Sequence, residues 1–74
     1  MFKKRKLKKQ IERSKQIIAR LEQKRTRSQA ALIEAILTHT TPADDDVDFF
    51  NRFTAQIEEE RAHLHELMTE LEKL

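Results

Sequence analysis

Two runs of residues in this chain repeat at alternating steps of four and three, one on each side of its only proline. That rhythm admits little except a pair of helices. Leu7, Ile11, Ser14, Ile18, Leu21, Arg25, Ser28, Leu32 and Ala35 make the first run; Phe50, Phe53, Ile57, Glu60, Leu64, Leu67, Leu71 and Leu74 make the second. On a helix of 3.6 residues per turn such positions fall on one narrow stripe, the seam of a coiled coil rather than the broad face of a globular helix. The rhythm predicts a first helix over about residues 3–38, a loop over about 39–46 and a second helix over about 47–74. The absence of glycine and the 38% content of charged residues agree with long helices and argue against a sheet.

The stretch His39-Thr40-Thr41-Pro42-Ala43-Asp44-Asp45-Asp46 carries the punctuation between the stripes. Thr41 followed by Pro42 and, three residues on, Asp44 has the form of an N-cap, so the second helix can start as early as Ala43; Asp46 is a competing cap. Either choice sets aspartates where the helix dipole favours negative charge.

The fold expected from this pattern is all-α: a two-helix antiparallel coiled-coil hairpin that dimerises into a four-helix bundle. A long parallel dimer in which the loop is only a kink satisfies the same pattern. If Leu32 opposes Phe53 in the hairpin, then Arg25 meets Glu60, Leu21 meets Leu64, Ile18 meets Leu67, Ser14 meets Leu71 and Ile11 meets Leu74. The single charged residue of each stripe then shares one layer, with Glu22 and Arg61 opposed on its flank. Arg25, Glu60, Glu22 and Arg61 are therefore the expected register-setting polar layer, because a slide of one heptad would set Arg25 against Phe53 and Glu60 against Ile18 at a cost of roughly several kcal/mol per unpaired buried charge. In this register about the first ten residues project past the second helix as a basic overhang.

Charge is divided along the chain. Residues 1–27 hold twelve Lys or Arg against Glu12 and Glu22, whereas the remainder holds three against eleven carboxylates. Cross-hairpin pairs of Arg13, Lys15 and Arg20 with Glu72, Glu70 and Glu66 would neutralise part of this, each contributing only ~0.2–1 kcal/mol. They do not reach Lys3, Lys4, Arg5, Lys6, Lys8 and Lys9, whose cations also oppose the dipole of the helix they begin. These six are the candidates for contact with nucleic-acid phosphate or with an acidic protein; an anionic membrane fits less well, with Phe2 as a weak anchor. No aromatic residues interleave with the lysines, so sequence-specific base reading is not expected.

The loop end has an apolar surplus. Ile33, Ile36, Leu37, Phe49 and Phe53 exceed what a two-helix seam can cover, which makes them the candidate protein-binding surface, filled by a homodimer partner or a different protein. No catalytic site, metal site or cofactor is expected. The chain lacks cysteine, nucleotide-binding glycines and a nucleophile elbow, and His63 and His65 point about 200° apart on a helix. No apolar run approaches the roughly 18 residues of a membrane span, and the basic start lacks the apolar stretch of a signal peptide, so a soluble cytoplasmic protein is expected.

Ile11-Glu12-Arg13-Ser14-Lys15 through Arg20-Leu21-Glu22-Gln23-Lys24, then Leu32-Ile33-Glu34-Ala35-Ile36 and an acid-rich turn before Phe49-Phe50, resembles a family of small coiled-coil proteins carried by conjugative and other mobile genetic elements. The resemblance covers about the first fifty residues. This chain departs from it by continuing through a full second helix. What it implies is an accessory protein or inhibitor of a mobile element or phage, and it transfers no functional residues. The function expected is thus non-catalytic binding of another macromolecule, through the apolar loop end to a protein or through the basic N-terminal block to a nucleic acid.

Overall fold

The computed structural model describes residues 2–74. It contains two helices, α1 (Phe2–Leu37) and α2 (Asp44–Glu72), folded back on each other as an antiparallel hairpin of 57 × 15 × 14 Å. Every position of the first stripe is buried or half-buried, as is every position of the second up to Leu71; Leu74 lies past the helix end and is 59% exposed. The four-and-three rhythm therefore identified the seam. It is a thin one, with Leu7, Ile11, Ser14, Ile57 and Leu67 as its fully buried residues.

The register differs from the expected one by a heptad. Leu7, Ile11 and Leu67 form a single cluster with Leu64 and Leu71 packed against it, so Ile11 meets the Leu67 turn instead of Leu74. Contacts on both flanks agree. Ser14 Oγ donates to Glu60 Oε1 at 2.7 Å, and Ile17 lines one surface groove with Glu60 and His63. The proposed Arg25–Glu60 layer does not form: Glu60 is taken by Ser14, and the Arg25 level has moved to Phe53. The Glu22–Arg61 half is present, with Arg61 Nη2 2.9 Å from Glu22 Oε1.

Loop length explains the slide. The loop spans only residues 38–43, because α2 starts at Asp44, next to the earlier of the two expected starts and not near Val47, and a shorter connection pairs the helices closer to the turn. The gain is coverage of Leu7, which is 5% exposed here and would have stood beyond the end of α2. The expected penalty is avoided because neither charge is deeply buried. Arg25 and Glu60 are both half-exposed, so neither charge is stripped of water, and Glu60 accepts the Ser14 hydroxyl.

The end of α1 is closed by backbone bonds together with the hydroxyls of Thr38 and Thr40, which donate to Glu34 O and Ala35 O, whereas the start of α2 lacks the anticipated side-chain cap. After Leu37 the Thr40 N–H donates to Ala35 O at 2.9 Å and the His39 N–H to Ile36 O at 3.2 Å, with His39 left-handed at φ 55°. This is a Schellman closure in which a histidine holds the position glycine prefers. Neither Thr41 nor Asp46 caps α2. Ala43 is the N-cap, with φ −64° and ψ 140°, and an alanine has no side-chain acceptor to offer the first N–H groups of α2. Asp44, Asp45 and Asp46 do fill its first turn, where they offset the dipole.

Two outcomes are expected in urea denaturation. His39→Gly should raise stability by about 0.5–1 kcal/mol by removing the left-handed penalty. Arg25→Glu combined with Glu60→Arg should recover little relative to Arg25→Glu alone, whereas Ser14→Ala should cost about 1–3 kcal/mol by leaving Glu60 without its donor. Full recovery in the charge-swapped double variant would restore the discarded register.

Candidate functional site

The basic segment is part of the hairpin and not an overhang beyond it. Leu7 sits in the packed cluster with Leu71, so α2 accompanies α1 nearly to its start and only the first turn extends further. Lys3, Lys4, Arg5, Lys6, Lys8 and Lys9 are all exposed around this covered leucine. Arg5, Lys8, Lys9 and Arg13 line a shallow depression on α1 together with Gln16 and one carboxylate, Glu12.

The larger feature runs along the helix. Lys6, Arg13, Arg20 and Arg27 recur at seven-residue intervals and are all exposed. Seven residues on an α-helix return to nearly the same direction, about 10.5 Å further along, so the four cations form one row about 31 Å long. The adjoining columns are Lys9, Gln16 and Gln23 on one side and Lys3, Gln10, Ile17 and Lys24 on the other. No carboxylate lies in these three columns before Glu34.

Glu22 stands on the opposite flank with Arg61, and Glu12, which borders the depression beside Arg13, pairs with Lys15. Glu12 is 3.7 Å from Lys15 and Glu22 is 2.9 Å from Arg61. Among the described residues these are the ion pairs within 4.0 Å. The anticipated pairs of Arg13, Lys15 and Arg20 with Glu72, Glu70 and Glu66 are thus not made, because the heptad slide carries those carboxylates past their intended partners. Arg13 and Arg20 are left free as a result, and the cationic surface grows from a block at one end into a row along most of α1.

The apolar loop end resolves into two surfaces. Ion pair and groove define the two edges of the hairpin: Glu22 and Arg61 mark one, and Ile17, Gln56 and His63 mark the other. Ile36 is two heptads beyond Glu22, and Val47 is two heptads before Arg61, so both stand on the ion-pair edge with Ile33 and Leu37 on the adjoining outer face. Phe49 is one heptad before Gln56 and belongs to the groove edge. Exposure agrees: Ile36 66%, Leu37 73%, Ile33 48% and Val47 37% on one side, with Phe49 45% on the other.

Phe53 lies half-buried in the seam beneath Phe49, its ring centroid 6.2 Å away at an interplanar angle of 17°, and Arg52 covers Phe49 at 5.7 Å. The five candidate residues Ile33, Ile36, Leu37, Phe49 and Phe53 therefore do not converge on one patch. Three form an aliphatic surface that gains Val47, and two form an aromatic stack capped by a guanidinium.

Sequence reasoning missed the heptad row and the Ser14 partner of Glu60. The row was available as a seven-residue repeat of cations; it was hidden because Arg13 and Arg20 had been assigned to cross-hairpin pairs. No family model, curated protein or solved structure matches the chain. None of the described helices is long and apolar enough to cross a membrane.

Ile36→Ser should change the urea midpoint of the dilute protein by no more than about 0.5 kcal/mol of stability, the range of surface substitutions, whereas Leu67→Ala should cost about 2–5 kcal/mol. A large loss at Ile36 would place it in the core of the single hairpin.

Proposed function

We propose that the hairpin is a non-catalytic binding module that holds a nucleic acid by its phosphate backbone along the outer face of α1. The observation that supports this reading best is the exposed row of Lys6, Arg13, Arg20 and Arg27, none of which makes an ion pair within 4.0 Å among the described residues, with Glu12 and Glu60 bordering it only at Arg13. Neutralising a neighbouring row of phosphates releases counterions and is the main source of sequence-independent affinity. Glutamine side chains beside the cations add neutral hydrogen-bond donors of the kind that contact phosphate and sugar.

The thickness of the molecule limits how it reads its ligand. Backbone dimensions of 15 × 14 Å across, before side chains, exceed the roughly 12 Å width of a major groove, so the paired helices cannot enter it together. The cations of the row contact phosphate, which carries no sequence information, so the binding tolerates sequence. The row is about 31 Å long, close to one turn of duplex, which suits a rod laid along the backbone. Such an accessory role is also what the resemblance to mobile-element proteins implies. The exposed aliphatic residues Ile33, Ile36 and Leu37 supply a second, protein-directed surface.

Fluorescence anisotropy with a labelled duplex of about 25 base pairs, repeated between 50 and 200 mM salt, tests the reading. With four to six phosphates engaged, log affinity should fall with log salt at a slope of about −4 to −5. Arg13→Gln with Arg20→Gln should flatten that slope by about 2 while leaving helicity unchanged. Absence of binding at 50 mM salt sinks the proposal and moves the basic row to an acidic protein surface.

A further inference from the structure

We propose that the aliphatic edge at the loop end is covered by a second copy of this chain, lying alongside the first in the opposite direction. The edge marked by Glu22 and Arg61 carries Ile36 and Val47 near the loop, with Ile33 and Leu37 beside them. Seven residues past Arg61 the same edge carries Met68, 45% exposed, near the open end, and seven and fourteen residues before Glu22 it carries Lys15 and Lys8. A two-fold axis across the middle of this edge lays the Ile33, Ile36 and Val47 cluster of each copy on Met68 and the methylene stems of Lys8 and Lys15 of the other. Each contact is then made twice, as an isologous interface requires.

Charge selects the direction. The loop end holds Glu34, Asp44, Asp45, Asp46 and Asp48 against Arg52. The open end holds Lys3, Lys4, Arg5, Lys6, Lys8 and Lys9, which Glu70 and Glu72 offset only in part. The hairpin is thus a rod 57 Å long with opposite signs at its two ends. Antiparallel pairing brings the aspartates of each copy to the lysines of the other at both ends. The loop-to-loop packing expected of a four-helix bundle would instead press the two aspartate clusters together, a like-charge juxtaposition that disfavours that partner geometry. The aliphatic surplus and the charge dipole therefore point to one arrangement, and it leaves the Lys6, Arg13, Arg20 and Arg27 row uncovered on the far flank. The inference does not depend on nucleic-acid binding.

The chain has no cysteine, so a single Thr41→Cys substitution in the exposed loop accepts one nitroxide label per copy. Double electron–electron resonance on the labelled protein should show a separation close to the 57 Å length of the hairpin, and sedimentation should give a dimer that weakens as salt rises. A short label-to-label distance means loop-to-loop packing and overturns the proposal. A monomeric mass throughout the micromolar to submillimolar range overturns it as well, and leaves the edge to a different protein. Asp44→Lys with Asp48→Lys should weaken the dimer severalfold, and adding Lys4→Glu with Lys8→Glu should restore it. All four positions are exposed, so circular dichroism should show the hairpin retained in each variant, with any loss confined to the first turn of α2, where Asp44 offsets the dipole.

Discussion

Two helices can hide only the stripe along which they touch, and this geometric limit governs the rest of the molecule. Leu7, Ile11, Ser14, Ile57 and Leu67 are the fully buried residues. Everything two or more positions around the helix faces outward, so the heptad column of a residue decides its chemistry. The cationic row, the aliphatic edge and the aromatic stack are three such columns. With so thin a seam, a single hairpin of 74 residues sits near the lower size at which one core offsets chain entropy. An exposed aliphatic edge in that setting is surface whose burial adds to a small total.

The register shows how a modest constraint near the turn outweighs polar matching in the middle. A loop of six residues closed by a Schellman motif on one side and by Pro42 and Ala43 on the other holds the helix ends close together. The seam follows from there, covering Leu7 and Leu71 at the far end. Aligning Arg25 with Glu60 would have left that last apolar layer open to water, about 1.5–3 kcal/mol for a leucine-sized side chain. Matching two charges that are half in water yields less, since exposed pairs contribute at most about 1 kcal/mol. Apolar coverage wins, and Ser14 takes over the one acceptor that needed a donor.

The same slide reorganises the electrostatics. In the discarded register, carboxylates of α2 would have met Arg13, Lys15 and Arg20 and left function to the first turns alone. In the observed register Lys15 turns to Glu12, and Arg13 and Arg20 join Lys6 and Arg27 in a row without ion pairs within 4.0 Å among the described residues. Opposite signs then collect at opposite ends of the rod instead of cancelling across it. A displacement of one heptad, neutral in composition, changes which surfaces can bind.

Much of the fold was legible in the residues themselves. Alternating steps of four and three place a stripe on a helix whatever the partner is, because the angle per residue is a property of the backbone, and Pro42 with its aspartates marks the turn through local sterics and the dipole. The candidate surfaces were legible only by residue type: Lys3 to Lys9 as cations, Ile33, Ile36 and Leu37 as surplus aliphatics. Tertiary structure alone decided what those residues face. Heptad stripes repeat, so their apolar rhythm matches at any slide of seven, and the one polar layer that distinguishes slides discriminates weakly when Arg25 and Glu60 are both half in water. Loop closure and coverage of the end layers are non-local quantities, and they set the register that freed Arg13 and Arg20 and parted Phe49 from Ile36.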